Sequence, residues 1–189
     1  MKDSAQFDKY HKMIERLTCS GLDEYDQWQR AFMGGFTHTS TRHSGIIQHD
    51  VDSFDFTSAY PFALVSENCF PMSKGETIKI KTNEELKRNC QLYFCIFDIK
   101  FINIKPRYIN ENYISVSKCF EIKNAVTNNG RLVGADYIST TICNIDFDII
   151  RRCYTWDKIE IGTFRRYKKG YLPREIIIAI LTLYKDKND

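Results

Sequence analysis

The stretch LYFCIFDIKFINI, residues 92–104, constrains the fold more than any other. In an extended chain Tyr93, Cys95, Phe97, Ile99 and Phe101 fall on one side and form a continuous apolar face. Such a strand belongs at the centre of a sheet, with another layer over that face. At 189 residues and 43% hydrophobic content the chain can supply that layer, and the expected organisation is one compact domain, or one domain with an appended lobe. No apolar run approaches the roughly 20 residues needed to cross a bilayer. The opening MKDSAQFDKYHK has no signal-peptide core, so the expectation is a cytoplasmic protein with no membrane partner. The seven cysteines are odd in number, scattered and never at a C-x-x-C spacing, which predicts reduced thiols rather than a disulfide framework or a zinc site.

Around this strand the sequence alternates helical and extended signals. Phe7, Tyr10, Ile14 and Leu17 recur at helical spacing near the start. Gly34 and Gly35 follow between aromatics and predict a loop or bulge. IIQHDVDSFDF, residues 46–56, reads as a strand with Val51, Ser53 and Asp55 on one face and Asp52, Phe54 and Phe56 on the other. PFALVSE reads as a short helix with Pro61 in its first turn. Residues 103–141 have strand-like fragments, with NNGR as a tight turn, and suggest an inserted β-rich lobe. NIDFDIIRRCYTW predicts a helix capped by Asn144, KIEIGTFRRYKKGYLP a strand, and PREIIIAILTLYKDKND a helix whose broad apolar face needs a cover. The fold class is therefore α+β.

The chemistry concentrates at FDFTSAYP, residues 54–61. A carboxylate at a strand end, followed at once by a turn into a helix, sets a hard oxygen ligand beside free backbone N–H groups. Mg²⁺ takes one or two carboxylates plus phosphate oxygens, and helix N-termini attract the phosphates. Tyr60 beside them can pack against a sugar and exclude a 2′-hydroxyl. Taken alone, corners of this kind are common, and most are purely structural strand-to-helix turns.

Asp55-Phe56-Thr57-Ser58-Ala59-Tyr60-Pro61 resembles the first palm motif of family B DNA polymerases, D-x-x-S-L-Y-P, with Ala59 in place of leucine. Upstream, Phe32-Met33-Gly34-Gly35 resembles their Y-x-G-G motif, with Phe32 in place of tyrosine. The stretch CNIDFDIIRRCYTWDKIEIGTFRRYKKGYLP is similar to the segment leading out of an insertion in the protein-primed members, the phage and linear-plasmid polymerases. The resemblance implies a partial palm, an antiparallel sheet with helices, plus an inserted lobe, in three stretches: 1–80, 81–141 and 142–189. It implies that Asp55 binds the catalytic Mg²⁺ or Mn²⁺ with the Phe56 carbonyl as second ligand. It further implies that Ser58, Ala59 and Tyr60 form the dNTP site, with the Ala59 and Tyr60 amides facing the triphosphate and Tyr60 as sugar gate. Phe32, Gly34 and Gly35 would lie near the template strand, and 81–141 would engage a terminal priming protein. The departure at Phe32 removes a hydroxyl, and the one at Ala59 removes side-chain volume.

Two-metal phosphoryl transfer also needs a second carboxylate and a cation on the triphosphate. Family B enzymes supply these from D-T-D and K-x-x-x-N-S-x-Y-G motifs, neither of which occurs in these 189 residues. The expectation is a piece of a DNA-directed DNA polymerase, inactive alone and completed by the remainder of the polymerase. The alternative is a non-catalytic module that binds DNA or terminal protein. Asp146 and Asp148 have D-x-D spacing but read as a helix-capping pair. Asp50 and Asp52 read as solvated acids, and His38, His43 and His49, with Arg42, as surface groups. Arg165, Arg166, Lys168, Lys169 and Arg174, interleaved with Tyr167 and Tyr171, fit either a solvated face or contacts to DNA phosphates.

Overall fold

In the computed structural model, which describes residues 2–35, 43, 45–108 and 111–188, the chain begins with two helices, α1 (Lys2–Leu17) and α2 (Leu22–Ala31). Next come α3 (Ala59–Ser66), the short strands β1 (Phe70–Pro71) and β2 (Glu76–Ile78), and α4 (Asn83–Leu92). Then follow β3 (Phe94–Pro106), a 3₁₀ turn, β4 (Cys119–Lys123), β5 (Val126–Asn128) and β6 (Arg131–Cys143). The chain continues through α5 (Asn144–Cys153), β7 (Tyr154–Thr155), β8 (Lys158–Tyr167), β9 (Lys169–Gly170) and α6 (Arg174–Asn188). The fold is mixed α+β, and every strand pairing among the described residues is antiparallel.

As its apolar face predicts, β3 lies at the middle of the main sheet, whose order is β2-β8-β3-β6-β4, with β5 on β6 and β7 on β3. Cys95, Phe97, Ile99 and Phe101 are buried with Leu86 and Cys90 of α4 and Phe147 and Ile150 of α5. A fully buried side chain such as Phe97 contributes about 2–3 kcal/mol. β3 is buried on its other face too: Phe94 and Ile96 pack with Ala31 of α2 and Tyr167 of β8. There Trp28 stacks on Phe94 with ring centroids 5.4 Å apart. Beyond α2 this second face turns polar, with Lys100 and Glu121 paired at 3.3 Å.

The tight turn falls where NNGR predicts. Asn128 pairs with Arg131, and Asn129 and Gly130 both take positive φ (48° and 72°), the two-residue hairpin geometry that matches strand twist. The stretch read as an inserted β-rich lobe gives β4, β5 and β6 to the same sheet as β8.

Three expectations are corrected. Residues 46–56 form no strand: 51–56 are coil with no strand partner among the described residues. Val51, Phe54 and Phe56, from both notional faces, are 73%, 91% and 85% exposed. Alternation makes a strand only where a neighbour takes the backbone groups and a layer covers one face. The cap of the helix at 144 lies one residue earlier than expected. Cys143 is the N-cap, because the Asn144 carboxamide is used elsewhere, accepting from the Cys95 N–H at 3.0 Å and donating to the Cys90 carbonyl. Finally, Tyr154 and Thr155 leave that helix to form β7 against β3.

Candidate nucleotide and metal site

The corner at 55–61 faces the last helix. Together Asp55, Phe56, Ser58, Ala59, Tyr60 and Pro61 and, from α6, Ile180, Leu183 and Tyr184 line a cleft of about 490 Å³. Asp55 is exposed, and Tyr60 is 83% exposed. The sharp entry into α3 is made by Ser58, a non-glycine residue in the left-handed region (φ 59°, ψ 36°). That conformation costs about 1 kcal/mol or more and tends to persist where function needs it. The first helical bond runs from the Phe62 N–H to the Ser58 carbonyl at 3.0 Å, so the amides of Ala59 and Tyr60 precede the helical ladder. No acid stands in the first turn of α3 to offset the positive end of its dipole. The corner thus brings an exposed carboxylate, the start of α3 and an exposed phenol to the lining of one cleft.

Among the described residues no three His, Cys, Asp or Glu side chains gather in a way that would hold a metal. Asp50 and Asp52 therefore do not join Asp55 in a three-carboxylate site, and they are exposed as solvated acids. The Asp55 carboxylate and the Phe56 carbonyl are hard oxygen donors, the atom type that Mg²⁺ prefers. His43 and His49 are exposed, while His38 and Arg42 lie outside the described residues.

The diglycine loop sits elsewhere. Phe32 ends α2, its N–H donating to the Trp28 carbonyl at 3.2 Å, and its ring is 70% exposed. Gly34 takes φ +70°, a conformation that favours glycine. Phe32, Met33 and Gly34 border a second cavity, of about 370 Å³, with Trp28, Phe94 and Tyr113. The Asp55 cleft and this cavity share no lining residue among those described.

The basic strand is largely committed to the fold. Arg165 donates to the Gln27 side chain of α2. Arg166 makes a bidentate pair with Glu76 (2.9 and 3.1 Å), donates to the Asn89 side chain at 3.0 Å, and lies 4.6 Å over the Tyr93 ring. The Glu76 hydrogen bond pushes the Arg166 guanidinium further above its ordinary value. Lys169 donates to the carbonyls of Cys90 and Gln91 at 3.2 and 3.0 Å, at the negative end of α4. Lys168 and Arg174 are exposed.

Asp146 caps α5 by accepting from the Cys143 N–H at 3.0 Å, and it accepts from the Tyr113 hydroxyl at 2.6 Å. Burial, then Asp146, push the Tyr113 phenol well above its ordinary value. Asp148 instead pairs with Arg151 at 3.4 Å on the surface. The seven cysteines are all free, Cys90 and Cys95 being buried and the other five partly buried.

The sequence did not place the α6 wall of the cleft. Its only signal was the apolar face of Ile180 and Leu183, which demanded a cover without saying which segment provides it.

The family described as DNA polymerase type B, organellar and viral, matches residues 4–167. No curated protein and no solved structure matches the chain significantly.

Proposed function

Because this chain belongs to the organellar and viral type B DNA polymerases, we propose that its 55–61 corner is the metal and nucleotide end of a polymerase palm. The observation that carries the reading is the exposed Asp55 carboxylate set just ahead of the unladdered amides of Ala59 and Tyr60, in one cleft. Asp55 and the Phe56 carbonyl hold Mg²⁺ or Mn²⁺, which when bound would neutralise charge on the triphosphate and on the attacking oxygen. The amides of Ala59 and Tyr60 receive triphosphate oxygens, supported by the positive end of α3 and by Ser58, whose left-handed turn aims them. The Tyr60 ring packs against the sugar and disfavours a 2′-hydroxyl.

Phe32, Gly34 and Gly35 border the template path, and their exposed loop leaves room for a backbone to approach. Of the basic strand residues, Lys168 is the one whose exposure suits a DNA phosphate; Arg165, Arg166 and Lys169 act on DNA only indirectly, by holding the strand. The polymerase is protein-primed, and residues 81–141 engage the terminal protein. The second carboxylate and the triphosphate-binding lysine come from further polymerase sequence, so these 189 residues do not extend a primer by themselves.

Calorimetric titration with a deoxynucleoside triphosphate and Mg²⁺ tests the reading. Weak, metal-dependent binding should vanish in Asp55→Ala. Equal binding by both proteins would favour instead a module that only binds DNA or terminal protein.

A further inference from the structure

β4 ends the strand order of the main sheet, and its outer edge has no strand partner among the described residues. On its inner side Glu121, Ile122 and Lys123 oppose Ser139, Ile138 and Tyr137 of β6. Phe120, Glu121, Ile122 and Lys123 are all exposed, and none makes a backbone hydrogen bond outside the β6 ladder among the described residues. Glu121 accepts from the Ser139 hydroxyl at 2.8 Å and from Lys100 at 3.3 Å, both through Oε2, which leaves Oε1 available to a second cation. Lys123 makes no ion pair among the described residues.

The simplest account is an edge kept from sticking, since β4 is five residues long, carries a bulge between Cys119 and Glu121 and bears charged side chains. That account leaves unexplained the apolar Phe120 and Ile122, 54% and 37% exposed on the same edge. It also leaves unexplained the charge order Glu121-Ile122-Lys123, which is its own complement. An antiparallel copy centred on Ile122 sets Ile122 against Ile122 and each Glu121 against Lys123 of the other copy. Registers centred on Glu121 or Lys123 oppose like charges instead, which destabilises a strand pair.

We propose that β4 is a self-association edge, where a second copy of this chain adds antiparallel to β4 and continues the sheet across a two-fold axis at Ile122. Main-chain hydrogen bonds join the two edges, while the Ile122 pair and the two Glu121–Lys123 pairs fix the register. The contact is isologous, so it closes at two copies and does not propagate. A joint of this length lies at the small end of the interface range, and the dimer is weak and reversible. It uses no residue lining the Asp55 cleft and needs neither metal nor nucleotide.

The test is sedimentation velocity of the 189-residue chain in EDTA, over concentrations up to about 1 mM, where weak specific contacts become populated. The wild type should move from monomer toward dimer as concentration rises. Lys123→Glu and Glu121→Lys should each weaken self-association by at least about tenfold, because each places like charges in both cross-strand pairs. Mixed in equal amounts, the two variants should associate as the wild type does, since every pair is then Glu against Lys. Rescue on mixing separates the charge pattern from a loss of folding in either variant. In Ile122→Cys, oxidation with glutathione disulfide should link two copies, and peptide mapping should place the bond between the two 122 positions. Asp55→Ala should associate as the wild type does, which keeps this claim separate from the polymerase reading. A chain that stays monomeric throughout, undiminished association in Lys123→Glu, a mixture no stronger than its separate variants, or a link that maps elsewhere would overturn the proposal.

Discussion

The Tyr167 hydroxyl on β8 donates to the Oε1 of Glu24 on α2 at 2.7 Å, and both side chains are buried. The other Glu24 oxygen accepts from the Ser20 N–H at 2.7 Å, and Trp28 Nε1 donates to the Tyr167 oxygen at 3.1 Å. This network clamps α2, and with it the diglycine loop that follows, onto the central sheet.

Replacing Glu24 by Gln removes the charge that both donors serve and should destabilise the fold by about 1–3 kcal/mol in chemical denaturation. Burial opposes the Glu24 charge, but the Ser20 and Tyr167 hydrogen bonds outweigh it and hold the carboxyl below its ordinary value of 4.5. A folded-state pKa below the unfolded one means that the contribution is complete above pH 4.5 and is lost as pH falls through the folded value. Stability of the wild type should therefore drop more steeply than that of Glu24→Gln as pH falls below 4.5.

Gly75 packs against the same pair. A Cβ there would stand 2.7 Å from the Glu24 Oε1 and 2.9 Å from the Tyr167 ring. Gly75→Ala should cost about 1–3 kcal/mol through this overpacking. Combined with Glu24→Gln it should cost less than the sum of the two, because both changes disturb one network. A double-mutant cycle by urea denaturation measures the difference.

Arg166 and Lys168 are near neighbours on the basic segment with different duties. Arg166→Ala leaves the Oδ1 of buried Asn89 without its donor and should cost about 1–2 kcal/mol. Lys168→Ala, at an exposed position, should leave stability within about 0.5 kcal/mol and reduce DNA affinity and its salt dependence. Thermal unfolding paired with duplex-binding titrations separates the two.

Tyr60, being 83% exposed, should tolerate truncation without loss of stability. In the metal-dependent binding assay Tyr60→Ala should narrow the preference for deoxyribo- over ribonucleoside triphosphate by roughly tenfold, the scale of a steric pocket effect. An unchanged ratio would remove the sugar-gate role.

What could be read in the sequence follows from where the usual patterns held. β3, α5 and α6 were legible because their apolar positions recur at the period of the element, and Asn129-Gly130 because two adjacent positive φ angles favour that pair. Helices α2 and α4 were not seen, since their buried positions include Glu24, Gln27 and Asn89, polar groups that look solvent-facing until their partners are known. For α4 a signal was present: Thr82 accepts from the Glu85 N–H at 3.1 Å, the T-x-x-E spacing of a helix start. Residues 46–56 erred the other way, with alternation but no neighbouring strand. The motif at 55–61 identified one wall of the cleft, whereas the α6 wall, from Ile180, Leu183 and Tyr184, is distant in sequence, and local patterns do not report such a pairing.

The central claim, that Asp55 brings a divalent metal and a triphosphate to the start of α3, is tested most directly by paramagnetic relaxation. The chain, isotope-labelled, is titrated with Mn²⁺ in the presence of a deoxynucleoside triphosphate while backbone amide signals are followed. The account predicts selective broadening at Phe56, Ala59 and Tyr60, abolished by Asp55→Ala. Broadening centred elsewhere, or identical in the variant, would contradict it.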